Sequence, residues 1–383
     1  MVFSTRSSLD GVLAAPVLSL ILAVLLVGCG DDAGGDDAPG SDAGNDDPAD
    51  AGDGDASRCM PRDPDDIPDP GSCMAAADDY APCADDGWPA CVSDDGEYHR
   101  IEETISTIGR VVGFEEIADL LFDPTEDPST DAFLMARMVY QEDEGLDSRV
   151  VRRYDPHHDG QGVDCTMPDV PVAEPDYCVG PARIQPVILG ALNDGIMGNT
   201  PRANAAKVEA GLLWFLYVST YKESSTCTDK AKDCDSSYAY YTGGEEMRGG
   251  IGLARYVREV DTHAHDRAWD GLLAQRCWRD LDSDEVATDL ELRDRARAQA
   301  DRAILHGVSS IVRDRLDELE AASGDERAYY HAFVQVLGGV LDREARERDS
   351  DAADALAAEL DKDADAIDTA AAIAAIESVF DCP

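Results

Sequence analysis

Apolar residues recur along most of the chain at helical spacing. In the stretch from Tyr98, HRIEETISTIGRVVGFEEIADLLF, the residues Ile101, Ile105, Ile108, Val112, Ile117 and Leu121 fall three to five apart, which predicts one helical stripe. Phe133 to Tyr140 continues in that style after a Pro-containing turn. Residues 154–183 show no such period; they carry Pro and Cys and read as a long loop, held by a disulfide or kept for a role. NAAKVEAGLLWFLYVSTYKES is apolar on nearly every side of its middle, which places its helix at the centre of the fold. MRGGIGLARYVREV and DTHAHDRAWDGLLAQRCWRDL follow, the second with Asp261-Thr262 as its N-cap. A long helix is expected over 286–321, with others at 326–346, 352–360 and 366–380. No stretch alternates as a half-buried strand does. The expected class is all-α, a helical bundle divisible into packed halves at 98–260 and 261–383.

The first sixty residues follow another pattern. After the single positive charge of Arg6 and then Asp10, an unbroken apolar run occupies Val12 to Val27. Its 16 residues fall short of the roughly 20 that a membrane span needs and suit a signal-peptide core. It ends in Leu26-Val27-Gly28-Cys29, which resembles the bacterial lipobox. That resemblance implies cleavage before Cys29 and lipid attachment to it. A plain signal peptide and a buried helix ending in Cys are the alternatives. Gly30 to Ser57 speaks against the buried helix: it holds ten Asp and no Lys, Arg or aromatic residue. Such a segment buries too little apolar surface to offset its ordering entropy, so residues 29–58 read as a disordered, lipid-anchored Asp/Gly/Ala linker reaching roughly 30 Å. Gly30 stands where the enteric inner-membrane retention signal has Asp, which by analogy favours the outer membrane.

Charge then narrows the partners. Of the net −48, the ten linker Asp contribute −10, leaving −38 on the rest. A body so acidic excludes nonspecific nucleic-acid binding and argues against docking on anionic lipid. The surplus of Asp fits cation binding or a saline setting; high-GC codon usage with a well-solvated surface is the simpler reading.

Eleven cysteines are present. With Cys29 given to the lipid, the other ten form an even set in a compartment that permits disulfides. Cys59, Cys73, Cys83 and Cys91 fall in a Pro- and Asp-rich run, so residues 59–97 read as a small stapled cap. Cys165 and Cys178 are expected to pair as neighbours, as are Cys227 and Cys234; Cys277 and Cys382 then pair by elimination. The tight Cys-x-x-Cys spacing of a zinc site is missing.

Three groups carry candidate chemistry. Asp155, His157 and Asp159 alternate ahead of Gly160, with Asp164 beyond, like the first half of a calcium loop. His157 stands where an oxygen ligand is wanted, Pro156 stiffens the turn, and position twelve is Thr166; an ordinary polar loop accounts for the same residues. His263, His265, Asp266 and Asp270 crowd a helix start, as a transition-metal site would, and as the helix dipole favours without one. Asp266 and Asp270 share a face at i, i+4, and His265 has Trp269 at the same spacing. Glu209 and Glu223 lie nearly four turns apart on one helix face. With Lys222, Asp235 and Tyr238 they suggest a polar cleft between helices, or simply the two wet ends of a buried helix. The glycines at 243, 244, 249, 250 and 252 do not follow a strand, so no phosphate loop is expected.

Two segments, CDSSYAYYTG at 234–243 and HAFVQVLG at 331–338, resemble the aromatic, Gly-ended helices of imelysin-like exported proteins. The segments at 145–150 and 265–271, and the Asp/Gly linker, resemble those of lipoproteins from myxobacteria. The imelysin resemblance implies a two-half helical bundle and export, in a family where some members serve periplasmic iron uptake and some are called peptidases. The family's GxHxxE signature does not occur here.

These readings lead first to a noncatalytic, membrane-anchored helical binding protein of the cell envelope, with a divalent cation or small solute as ligand. A metal-dependent hydrolase built on His263 and His265, and a structural lipoprotein with an envelope protein partner, are the alternatives.

Overall fold

In the computed structural model, residues 78–82, 87–142, 145–160, 162–245 and 248–380 are described; Cys29, the linker, Cys59, Cys73, Cys83 and Cys382 lie outside them. The described residues form helices and no strand, confirming the all-α class. The α-helices are α1 (Thr107–Leu121), α2 (Thr130–Tyr140), α3 (Leu146–Val150), α4 (Val170–Ala173), α5 (Gln185–Ile196), α6 (Pro201–Thr226) and α7 (Lys232–Thr242). They continue with α8 (Leu253–Val260), α9 (Thr262–Leu281), α10 (Leu290–Ala321), α11 (Gly324–Leu337), α12 (Asp342–Arg348), α13 (Ser350–Leu360) and α14 (Thr369–Val379).

The most apolar stretch of the chain becomes α6, the centre of the fold, as its sequence requires. Val208, Leu212, Leu213, Phe215, Leu216 and Val218 are fully buried on it, and α5, α7 and α11 pack around it. The core is continuous across position 260, since α11 from the later stretch packs on α6 from the earlier one. α9 and α10 run against each other over much of their length. Gly271 permits this: a Cβ there would lie 2.4 Å from the Ala300 backbone.

Part of the Asp surplus has a local use. Asp261, Asp289, Asp349 and Asp368 each accept a backbone N–H at the start of α9, α10, α13 and α14. A carboxylate there satisfies an orphan donor and meets the positive end of the helix dipole.

Two expected helices are corrected. The first begins at Thr107, because the backbone N–H groups of Ile101 and Glu102 donate to the Asp235 carboxylate at 2.9 and 2.8 Å, bending the chain. Its buried stripe is Val111, Phe114, Ile117 and Leu121, while Ile101 and Val112 are exposed. The helix expected over 326–346 breaks at Gly338–Val340, a single 3₁₀ turn. Glycine is a poor helix former, and at Gly338 a Cβ would come within 2.5 Å of Leu360, so α13 packs directly on the break.

Cys165–Cys178 and Cys227–Cys234 form as expected. Cys277 does not pair with Cys382, nor is Cys91 confined to a local cap: the two are joined to each other, 186 residues apart. Proximity along the chain cannot reveal such a link, because the fold of α9 brings them together. Closing a loop that long constrains the unfolded chain by on the order of 5 kcal/mol in the chain-entropy view.

Candidate functional site

The break after α11 opens a cleft of about 600 Å³ between α6, α11, α12, α13 and the loop that follows Arg153. Trp214, Val340, Leu356 and Leu360 supply apolar lining; Asp155, Tyr217, Gln335 and Arg343 supply polar groups. Three pairs of opposite charge line it, Arg183 with Asp176, Arg346 with Asp342 and Arg343 with Glu347.

One wall is fixed by a clamped histidine. The His157 side chain is only 7% exposed and lies between two carboxylates, with Nδ1 2.6 Å from Asp155 Oδ1 and Nε2 2.9 Å from Asp301 Oδ2. Burial pulls the imidazole pKa down, but the hydrogen bonds and charges of Asp155 and Asp301 prevail and raise it to about 9. At neutral pH it is therefore an imidazolium, a donor from both nitrogens. Its ring stacks on Tyr221 at 3.6 Å, Tyr217 donates to Asp301 Oδ1 at 3.0 Å, and Arg343 Nη2 lies 4.0 Å from Asp301. Burial raises the Asp155 pKa, and the bonds and charge from His157 overcome this and hold it below the usual carboxylate range. The result is a row of alternating charge, Asp155, His157, Asp301 and Arg343, with both ends on the cleft.

The other predicted groups are not gathered here. Asp159 and Asp164 are exposed, and Asp164 accepts from the Thr166 backbone and hydroxyl. Asp155 turns inward to His157 instead, so the calcium-loop ligands diverge. His263 is half-buried on the first turn of α9. His265 is buried, its Nδ1 3.2 Å from the Tyr241 hydroxyl, and it does flank Trp269. Asp266 and Asp270 share a face as expected, and both pair with Arg248. Helix geometry thus sends the histidine into the core and the carboxylates to an arginine outside it.

The quartet Glu209, Glu223, Asp235 and Tyr238 forms no common cleft. Glu209 is not a wet end but a dry one, 2% exposed, accepting from Tyr256 at 2.7 Å and from Tyr329. Burial raises its pKa, which Arg315 and the two hydroxyls only partly offset. Glu223 pairs with Arg153 at 2.9 Å and Lys222 at 3.2 Å; burial would raise its pKa, and these cations lower it. Asp235 caps the bend at 101–102 and accepts from Tyr98. Burial raises its pKa in spite of those bonds. Tyr238 stacks on Tyr98 at 3.8 Å and donates to the Glu245 carbonyl. The glycine-rich turn carries a carboxylate from within: Gly252 N–H donates to Glu115 at 2.6 Å.

Among the described residues, one group of potential metal ligands draws together, Asp95, Glu97 and His99, none of which the sequence pattern singled out. Nor does the sequence pattern mark Tyr217, Asp301 or Arg343. The only local signal was the Gly338-Gly339 pair interrupting a helical pattern.

Compared with protein-family models, curated proteins and solved structures, the chain matches none.

Proposed function

We propose that this chain is an exported, membrane-anchored helical protein that binds a small polar solute in the cleft beside His157. The observation that carries the binding reading is the cleft of about 600 Å³ with a charged wall held in place by buried hydrogen bonds. Its size falls within the roughly 300–1,000 Å³ usual for ligand pockets, and a few placed polar groups over apolar lining are what orient a ligand. Both ring nitrogens of His157 are engaged by carboxylates, so it offers no lone pair to a metal or a substrate proton. That favours binding over hydrolysis at this site.

Export and anchoring are supported separately. The apolar run ending at Cys29 and the acidic linker give the sequence argument, and three disulfides among the described residues suit an oxidising compartment. The cell envelope, with lipid attachment at Cys29, is the location these features support.

Two measurements test the proposal. Thermal shifts with a panel of charged, neutral and zwitterionic solutes should reveal stabilisation that is lost in Ala357→Trp, which fills the cleft. Stabilisation by none of them, or a shift that survives the tryptophan, defeats the binding reading. Mass spectrometry of the mature protein should find lipid on Cys29, and an unmodified thiol there defeats the anchor.

A further inference from the structure

The cleft's two polar ends differ in sign, and each has capacity the protein does not use. Asp155 takes both bonds from His157, backbone N–H and Nδ1, on the same oxygen, Oδ1. Its Oδ2 receives no protein donor, and the residue lines the cleft. At the other end Arg343 directs Nη1 to Glu344 and Glu347, at 3.2 and 3.4 Å. Its Nη2 stands 4.0 Å from Asp301, beyond hydrogen-bond distance, with its protons unused. The inner members of the row, His157 and Asp301, hold the two ends apart and keep each charged.

A simple cation would satisfy Asp155 and be repelled by Arg343, and a simple anion would meet the reverse. One molecule carrying both signs satisfies both. The other ionic wall residues are His158, Arg183 paired with Asp176, Arg346 paired with Asp342 and Asp354, the exposed Asp361, and Glu347, which engages only Nη1 of Arg343 and leaves Nη2 without a hydrogen-bond partner. Trp214, Val340, Leu356 and Leu360 line the same cleft and supply an apolar surface for a side chain.

Resting on the proposed binding role, we infer that the ligand is an amino-acid or short-peptide zwitterion, its ammonium on Asp155 and its carboxylate on Arg343. The guanidinium fork matches a carboxylate, and the Asp155 carboxylate, in a cleft that Trp214 and Tyr217 also line, suits an organic ammonium.

The test is calorimetric titration of the full chain with L-leucine and glycyl-L-leucine, each beside its C-terminal amide and its N-acetyl form. Zwitterions should bind at least tenfold tighter than either singly charged analogue. In Arg343→Gln the preference for carboxylate over amide should disappear while the preference for ammonium over N-acetyl remains. Thermal unfolding of that variant controls for folding, and Arg343→Lys should restore part of the lost preference. If the amide or N-acetyl form binds as well as the zwitterion, or Arg343→Gln leaves the discrimination intact, the zwitterion assignment fails while solute binding stands. If these probes do not bind but a neutral or singly charged solute binds in the cleft, the assignment again fails alone. If no solute of any class binds, the underlying reading falls with it.

Discussion

Glu209 and His157 are both buried ionisable groups with raised pKa values, yet the same direction means opposite things. For Glu209, desolvation dominates and pushes the pKa up even with Tyr256, Tyr329 and Arg315 around it. For His157, two carboxylates outweigh desolvation and the charged form is favoured. Glu209 sits in the middle of the helix packing and is sealed. The His157 row reaches a cleft at both ends. A buried ionisable group is closed off by packing in the first place and connected to a cleft in the second.

The comparison can be broken most forcefully at Glu209. Glu209→Ala strands the Tyr256 and Tyr329 hydroxyls in the core, and should lower unfolding free energy by roughly 3–5 kcal/mol in denaturant titrations. Glu209→Gln, which keeps an acceptor, should lose far less. Neither should alter solute affinity of the folded fraction, and a large change in affinity would mean the two clusters are coupled.

Alkaline pH acts next. A folded pKa of about 9 against an unfolded value of about 6.5 means that the His157 contribution is fully present below pH ~6.5. It is lost as pH rises through about 9, and amounts to roughly 3 kcal/mol. Stability measured across that window should decline in the parent and hardly at all in His157→Gln, which starts lower. A flat parent curve would contradict the clamp.

Asp301→Asn removes one of the two carboxylates and should cost roughly 1.5–3 kcal/mol. It should also move the His157 titration, followed by imidazole NMR, down toward 6.5, the ordinary value. The smallest effect belongs at the surface. Asp266→Asn weakens a partly exposed pair with Arg248 and should change stability by less than about 1 kcal/mol.

What the sequence disclosed and withheld follows from the range of each interaction. Helices α6, α9, α10, α13 and α14 were legible because periodicity and Asp caps act over three or four residues, and Asp261 was found as a cap for that reason. The neighbouring disulfides Cys165–Cys178 and Cys227–Cys234 were legible on the same grounds. Cys91–Cys277 was not, nor was the pairing of His157 with Asp301 across 144 positions, since nothing near either residue marks its partner. The alternation of Asp155 and His157 suggests metal ligation, whereas the structure turns them toward each other. His265 and Asp266 are adjacent in sequence, which suggests shared ligation, but a helix separates consecutive side chains by about 100°, and theirs face different surroundings.

The bond between Cys91 and Cys277 also decides how the molecule answers a mechanical pull. Tension applied to the chain ahead of Cys91 passes by covalent linkage straight into α9, bypassing the residues between the two cysteines. Stretching from the two ends can therefore lengthen only what lies outside that loop. Asp155, His157 and Tyr217 are sheltered within it, whereas Asp301 and Arg343 stand on the side that takes the strain, so a force-induced opening would part the row between His157 and Asp301.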